Sequence, residues 1–233
     1  MGIFKQIRED FSNAYHNDPA LTSKLNFLFN YPGIWAIFWY RISNKLHKLG
    51  LTRTARVIMG FNQILTNIDI HPAATIGRRV FIDHGFGVVI GETTIIEDDV
   101  LIYQGVTLGG VSLDMHKRHP TIKHHVVVGA GAKVLGNITI GENSKIGANS
   151  VVVRDVPPNS TAIGIPAHTI EKGRCKDPFM HNKLPDINKE MFEYLLKRVA
   201  ILEHIMMQDD KEILEKDLKL EEIYNSFIQS MQN

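Results

Sequence analysis

The sequence predicts a three-sided solenoid of stacked short strands between two helical segments. Aliphatic residues recur every six positions through the middle of the chain, and the segments on either side carry apolar residues at spacings of three and four. Neither the helical period of 3.6 residues nor the strand period of two produces a repeat of six. Three such hexads make one triangular coil of about 18 residues with its aliphatic side chains stacked inside.

The composition is that of an ordinary globular protein: the 233 residues are 44% hydrophobic, with 26 Lys+Arg, 25 Asp+Glu and one cysteine. This charge balance argues against a broad nucleic-acid surface. A single cysteine excludes an internal disulfide and a thiolate zinc cluster. The amino terminus is charged too early for a secretory signal, and the most apolar stretch, from Ile34 to Tyr40, is too short to span a membrane. We therefore expect a cytoplasmic protein that binds neither membranes nor nucleic acid.

Residues 1–66 are predicted to form an α-helical N-terminal domain. Asp18-Pro19 indicates a helix start, with Asp as the N-cap and Pro in the first turn. Tyr31-Pro32-Gly33 predicts a turn, and Gly50 predicts the end of the next helix. A third helix is expected from Thr52 to about Thr66.

Residues 67–172 carry the hexad repeat. The alternative is a set of ordinary short strands with glycine turns, but so many aliphatic positions in register make it improbable. The aliphatic positions are Ile70, Ile76, Ile82, Ile90, Ile96, Ile102, Leu108, Val128, Val134, Ile140, Ile146 and Val152. The fifth position of the repeat is small or β-branched, as at Thr94, Val100, Val106, Ala132, Ser144 and Ser150.

The repeat is interrupted twice, and both interruptions are rich in ionisable residues. Two extra residues lie near His84, and a polar, basic loop is predicted at about 111–122. Insertions in repeat proteins form surface loops, where binding residues are common.

Residues 173–233 are predicted to be a linker followed by helices that cap the solenoid or pack on a partner. Their helical stripe includes Phe192, Leu195, Val199, Leu202 and Met206.

The segment from Ile68 to Gly110, with Arg118-His119-Pro120, resembles bacterial serine O-acetyltransferases of the hexapeptide-repeat acyltransferase superfamily. Asp18-Pro19-Ala20 and Tyr40-Arg41-Ile42 match as well, and the resemblance covers about residues 18–172. It implies a left-handed parallel β-helix with a preceding α-helical domain and a helical C-terminal tail. The implied reaction transfers acetyl from acetyl-CoA to the L-serine hydroxyl, which is the first step of cysteine biosynthesis.

The resemblance implies that His84 is the general base and that Asp69 is its partner carboxylate. A serine hydroxyl is a weak nucleophile at neutral pH, so it needs a base within hydrogen-bond reach. A carboxylate would hold the imidazole tautomer and stabilise the imidazolium. Without the resemblance, His84 is equally well explained as a turn residue and Asp69 as a cap between helix and solenoid.

The resemblance also implies how a substrate carrying both charges is held. Asp18 and Asp83 match positions that bind the ammonium group, and Arg118 and His119 match the carboxylate side. Glu92 matches the family pattern too. Taken alone, Asp18 is explained as an N-cap, and Arg118 and His119 as loop surface.

Gly110, Ala130 and Ala148 match positions along which the pantetheine arm of CoA lies. Small residues let an extended chain approach the backbone, although tight packing of coils explains the same residues without a ligand. No metal is expected.

The resemblance implies a homotrimer with active sites between subunits. A dimer of trimers is an alternative, but few residues precede Asp18.

Feedback inhibition by cysteine is expected because cysteine carries the same ammonium and carboxylate as serine. Many family members bind O-acetylserine sulfhydrylase through a terminal isoleucine. Because this chain ends at Asn233, we do not expect that complex.

Two other enzymatic functions are alternatives. An acetyltransferase for another acceptor, such as a sugar, would not require the charged groups that match the amino-acid site. A γ-type zinc carbonic anhydrase would use histidines such as His84, His119 and His124, but the residues around them follow the acetyltransferase pattern. A non-enzymatic scaffold would not depend on His84.

Overall fold

The computed structural model describes residues 3–17, 30–113, 115–171, 192, 194–200 and 202. The chain divides into two compact units, residues 1–184 and residues 185–233. In the second unit, the described residues 192, 194–200 and 202 are helical, as their apolar spacing predicts. No helix in the described part of the chain combines the length and the apolar character that a membrane span requires.

The first unit begins with helices α1 (Ile3–Asn17), α2 (Pro32–Lys48) and α3 (Thr52–Thr66). Pro32 lies in the first turn of α2, where its missing N–H costs nothing. Gly50 has a φ of 84° between α2 and α3, and Asn67 ends α3 in the left-handed region. The predicted helix start at Asp18-Pro19 lies outside the described residues.

Fifteen short strands follow in the described residues, and every pairing between them is parallel except that of β14 with β15. In order they are β1 Asp69–Ile70, β2 Thr75–Ile76, β3 Phe81–Ile82, β4 Val89–Ile90, β5 Ile95–Ile96, β6 Leu101–Ile102, β7 Thr107–Gly109, β8 Thr121–Ile122, β9 Val127–Val128, β10 Lys133–Leu135, β11 Thr139–Ile140, β12 Lys145–Ile146, β13 Val151–Val152, β14 Ser160–Gly164 and β15 Ala167–Glu171.

The strands form the three faces of a prism. Sheet 1 has the order β1-β4-β7-β10-β13, sheet 2 has β11-β8-β5-β2, and sheet 3 has β15-β14-β12-β9-β6-β3. Each of the first four coils contributes one strand to each sheet, so residues one coil apart are hydrogen-bonded neighbours. The last strand, β15, pairs antiparallel with β14.

The inside of the prism is the aliphatic stack that the hexads predict. All twelve predicted aliphatic positions are at most 6% exposed, and the fifth-position residues are buried beside them. Ile122, which the hexad pattern did not identify, is fully buried as well. Because Thr121 and Ile122 form β8, the loop expected over about 111–122 ends at Pro120.

Helices α1 and α2 cover the outer face of sheet 3. Ile34 of α2 packs with Phe81, Leu101 and Val127, whose side chains point outward from that sheet. Tyr40 of α2 belongs instead to the core of the β-helix and closes its first coil. The helices and the first coils therefore share one apolar interior.

Tyr40 and Arg41 connect α2 to the first coil through hydrogen bonds. The Tyr40 hydroxyl donates to the Ala74 carbonyl at 2.6 Å and accepts from the Ile76 N–H at 3.1 Å, and burial raises the pKa of this phenol to about 12. The Arg41 guanidinium donates to the Ile76 carbonyl at 2.6 Å and pairs with the Asp10 carboxylate at 3.0 Å. This part of the motif is therefore structural.

Candidate active site

The corners of the prism carry the ionisable residues. We name each corner by the sheets it joins: corner 1/2, corner 2/3 and corner 3/1. Tight turns stack along corner 3/1, where Gly105 and Gly131 have φ near 70° and approach closely. The inserted loop between β7 and β8 leaves the prism at corner 1/2.

A cleft of about 390 Å³ lies between α3 and the first coils, beside corner 1/2. Four of the predicted site residues line it: Asp69, Glu92, Arg118 and His119. The remaining lining residues are Arg56, Met59, Gly60, Gln63, Ile70, His71, Pro72, Val89, Ile90 and Gly91. The cleft thus contains both carboxylates and cationic groups, as a site for a zwitterion requires.

Glu92 and Arg118 form an ion pair at the mouth of the cleft. The hydrogen bond from Arg118 lowers the pKa of the Glu92 carboxyl, against partial desolvation, which raises it. Glu92 is therefore ionised at neutral pH. It orients the Arg118 guanidinium, which is the group the sequence analysis assigned to a substrate carboxylate.

His119 is one of the few buried polar residues, at 8% exposure. Its Nδ1 lies 2.9 Å from the Thr93 hydroxyl and 3.3 Å from the Thr93 backbone nitrogen. Burial lowers the pKa of His119, and the charges of Arg118 and Lys117 lower it further. The ring is therefore neutral at neutral pH.

Gly91 makes room for the His119 ring. A Cβ built on Gly91 would lie 2.0 Å from Cδ2 and 2.1 Å from Nε2 of that ring, which no side chain could tolerate. Each residue of the Gly91-Glu92-Thr93 segment therefore acts on His119. Gly91 leaves space for the ring, Glu92 provides a nearby negative charge, and Thr93 forms hydrogen bonds to Nδ1.

His71 and Arg56 also line the cleft, and no motif in the sequence predicted either of them. The Arg56 Nη1 lies 2.6 Å from the His71 Nε2, and the Ala73 N–H donates to the His71 Nδ1 at 3.1 Å. Burial and the Arg56 charge lower the pKa of His71. A usable signal was the helical spacing of Arg56, Gly60 and Gln63, one face of α3 just before β1.

Four other predicted residues, Asp83, His84, Ala130 and Ala148, lie at corner 3/1. Asp83 and His84 follow β3, and the exposed His84 has a φ of 58°, which is uncommon for a residue with a side chain. Ala130 and Ala148 follow β9 and β12 at the same corner, where the Asn149 N–H donates to the Ala130 carbonyl at 2.8 Å.

One copy of the chain does not bring the two groups together. Gly110 follows β7 at corner 1/2, whereas Ala130 and Ala148 lie across sheet 1 at corner 3/1. Asp69, on sheet 1 between these corners, makes no hydrogen bond to His84 among the described contacts. Asp18 lies outside the described residues.

The three histidines weighed as zinc ligands stand at three different corners: His84 at corner 3/1, His119 at corner 1/2 and His124 at corner 2/3. Both ring nitrogens of His124 face carboxylates there: Nδ1 lies 3.3 Å from the Glu97 Oε2, and Nε2 lies 3.0 Å from the Glu142 Oε2. The described residues contain no cluster of three or more His, Cys, Asp or Glu side chains arranged for a metal ion.

Comparisons with known proteins agree with this architecture. Residues 119–154 match the family of bacterial transferase hexapeptide proteins with six repeats. The chain is 47% identical over 202 residues to the serine acetyltransferase of Synechococcus elongatus, covering 86% of this chain and 83% of that one. It is 44% identical over 212 residues to the serine acetyltransferase of Bacillus subtilis, covering 90% and 97%.

Solved serine acetyltransferases have the same fold. A complex with cysteine superposes with a TM-score of 0.74 at 39% identity, covering 79% of this chain and 72% of that one. The Neisseria gonorrhoeae protein in complex with serine gives 0.69 at 40%, covering 72% and 69%. The Brucella abortus protein in complex with coenzyme A gives 0.70 at 41%, covering 74% and 69%.

These likenesses confirm the expected left-handed parallel β-helix with N-terminal helices. Two relatives are more than 40% identical to this chain over more than four fifths of its length, which is sufficient to assign its family. The chain belongs to the serine acetyltransferase family.

Proposed function

We propose that this protein is an acetyl-CoA-dependent serine O-acetyltransferase, which converts L-serine and acetyl-CoA to O-acetylserine and CoA. The observation that carries the proposal is the cleft beside corner 1/2, where Asp69, Glu92, Arg118 and His119 bring both signs of charge together. Solved family members hold serine, cysteine or CoA. A sugar acceptor would not require this combination of charged groups.

In the proposed reaction His84 is the general base and Asp69 orients it. The serine Oγ forms a bond to the acetyl carbonyl carbon, and its proton passes to the imidazole of His84. The thioester C–S bond then breaks, and the imidazolium returns the proton to the sulfur of CoA. The exposed position of His84 at a corner leaves its ring free to meet a substrate.

The amino acid is proposed to lie with its carboxylate toward Arg118 and His119 and its ammonium toward Asp18 and Asp83. The Glu92–Arg118 ion pair supports this orientation because it fixes the guanidinium at the cleft. Cysteine carries the same two groups, so we propose that it competes with serine and acts as a feedback inhibitor. The reaction is proposed to take place in the cytoplasm.

The pantetheine arm of acetyl-CoA is proposed to follow Gly110, Ala130 and Ala148. These residues present little or no side chain at the corners, so an amide-rich chain can approach the backbone there. Ala148 and Gly110 are exposed, which fits a binding surface better than internal packing.

The active unit is proposed to be a homotrimer with its sites between copies. The support is the separation of Gly110, Arg118 and His119 from His84 and Ala130, at opposite edges of sheet 1. A neighbouring copy can supply the corner that one copy lacks. Helix α3 also exposes an apolar stripe with helical spacing, formed by Val57, Phe61, Ile64 and Leu65 at 59–79% exposure.

The test is an acetyl-transfer assay on the purified protein. We expect CoA release that depends on L-serine, with O-acetylserine identified by mass spectrometry and little release with homoserine or sugars. Turnover with a sugar but none with serine would reject the proposal. Chelator-sensitive CO₂ hydration with stoichiometric zinc would instead favour the anhydrase alternative.

A further inference from the structure

Thr93 holds the Arg118-His119 segment against corner 1/2 through a single hydroxyl group. Its Oγ1 accepts hydrogen bonds from the backbone N–H groups of Arg118, at 3.0 Å, and His119, at 3.1 Å. The same oxygen lies 2.9 Å from the Nδ1 of His119. Because both lone pairs of Oγ1 are used, its proton is the group that points to Nδ1.

These contacts decide which nitrogen of His119 carries the proton. The Thr93 backbone N–H also faces Nδ1, at 3.3 Å, and a backbone N–H can only donate. Two donors therefore converge on Nδ1, which must be the unprotonated acceptor. A neutral imidazole then carries its proton on Nε2.

The Nε2 atom lies beside Gly91, which lines the cleft together with His119. Cβ atoms built on Gly91 and Gly110 would lie 2.1 and 3.3 Å from it, so no side chain from either residue screens it. A neutral N–H donor at this place can bind a carboxylate oxygen next to the Arg118 guanidinium.

We infer that Thr93 is a positioning residue that selects the Nε2–H tautomer of His119 and so fixes this ring as a donor to the carboxylate of the bound amino acid. The inference rests on the proposed function, because serine supplies the carboxylate. It applies equally to an inhibitory amino acid that occupies the same place.

The neighbouring Thr94 provides a matched control. Its side chain is buried, at 1% exposure, and within the described structure its hydroxyl has no hydrogen-bond partner. Replacing Thr94 by valine keeps the shape and removes only an unused hydroxyl. Replacing Thr93 by valine keeps the shape but removes three hydrogen bonds, and Thr93→Ser keeps the hydroxyl.

The experiment is magic-angle-spinning NMR of histidine-¹⁵N-labelled full-length protein, with the His119 signals assigned by a His119→Gln variant. We expect wild type, Thr93→Ser and Thr94→Val to show a protonated Nε2 and an unprotonated Nδ1. In Thr93→Val the population of that tautomer should fall. In parallel, the KM for serine should rise about tenfold in Thr93→Val alone, with the KM for acetyl-CoA unchanged.

A wild-type tautomer in Thr93→Val, or a changed tautomer without any change in the KM for serine, would overturn the inference. An equal rise in KM for Thr94→Val would also overturn it, because a general packing defect would then explain both variants. If wild type shows no serine-dependent turnover, the proposed function fails, and the NMR comparison still decides whether Thr93 selects the tautomer.

Discussion

The ionisable side chains of the cleft owe their charge states to their immediate neighbours. Burial keeps His71 and His119 neutral by lowering the pKa of each, and adjacent arginines reinforce the effect. Glu92 stays ionised because Arg118 donates to it. At neutral pH the cleft therefore offers the neutral His119 ring, with its proton on Nε2, beside the charged Arg118 guanidinium, a combination suited to a carboxylate.

These shifts predict how stability depends on pH. Between the lowered pKa of His71 or His119 in the folded state and about 6.5, the unfolded chain binds more protons, so the free energy of unfolding rises with pH and levels off above about 7. Urea titrations from pH 5.5 to 7.5 measure this rise. The slope should be reduced in His71→Gln and His119→Gln, and a wild-type midpoint that falls with increasing pH would contradict the assignment.

The close approach of Gly91 to His119 predicts a sensitive position. In Gly91→Ala the new methyl group would overlap the imidazole, so the ring must leave its place between Thr93 and the cleft. We expect kcat/KM for serine to fall at least ~10-fold, with the KM for acetyl-CoA nearly unchanged. Normal serine kinetics would show that the His119 position is not needed.

The proposed base can be tested by a variant that preserves the backbone. Asparagine tolerates the left-handed conformation that His84 adopts, so His84→Asn removes the imidazole at little cost to the turn. We expect kcat to fall at least ~10²-fold, with the urea midpoint unchanged. Retained turnover would assign the proton transfer to another group.

At the scale of elements, α2 and the first coil depend on each other through Tyr40 and Arg41. Arg41 is buried and serves both Asp10 of α1 and two carbonyl groups of the first coil. Removing the cation leaves the buried Asp10 carboxylate without its ion-pair partner, with the Arg79 N–H still donating to it at 3.0 Å. Substitutions at this contact between α2 and the first coil should therefore lower the stability of the protein more than most others in the N-terminal helices.

We expect Arg41→Met to lower the free energy of unfolding by about 3–5 kcal/mol and Tyr40→Phe by about 1–3 kcal/mol. Arg53→Met, at an exposed position on α3, should change it by less than about 0.5 kcal/mol. Equilibrium urea unfolding measures all three. Similar effects for Arg41→Met and Arg53→Met would mean that α2 is not fastened in this way.

The sequence predicted the prism well, because a period of six marks the inward-facing residues directly. Ile122 was not identified because the inserted loop that precedes it interrupts the six-residue spacing. The cleft was only partly predictable: Glu92 and Arg118 stand in a motif, but Arg56 and His71 join them only through the packing of α3 on β1. Nothing in the hexads reveals that Thr93 faces His119, since their contact crosses the inserted loop.

At the scale of the whole molecule, the proposed site is divided between two corners of the prism. His84 and Arg118 lie on opposite sides of sheet 1, and a homotrimer can place one copy's corner 3/1 against the next copy's corner 1/2. Light scattering should then give three times the 26.3 kDa chain mass. A monomer with full activity would exclude shared sites.

The most direct measurement of a shared active site is complementation between two inactive variants. His84→Asn damages corner 3/1 and Arg118→Gln damages corner 1/2, so each should be inactive as a pure trimer. When the two are co-expressed and purified as mixed trimers, one of the three sites in each trimer should combine two intact corners, and serine-dependent CoA release should return to about a third of wild type. Mixed trimers no more active than the separate variants would contradict a site shared between copies.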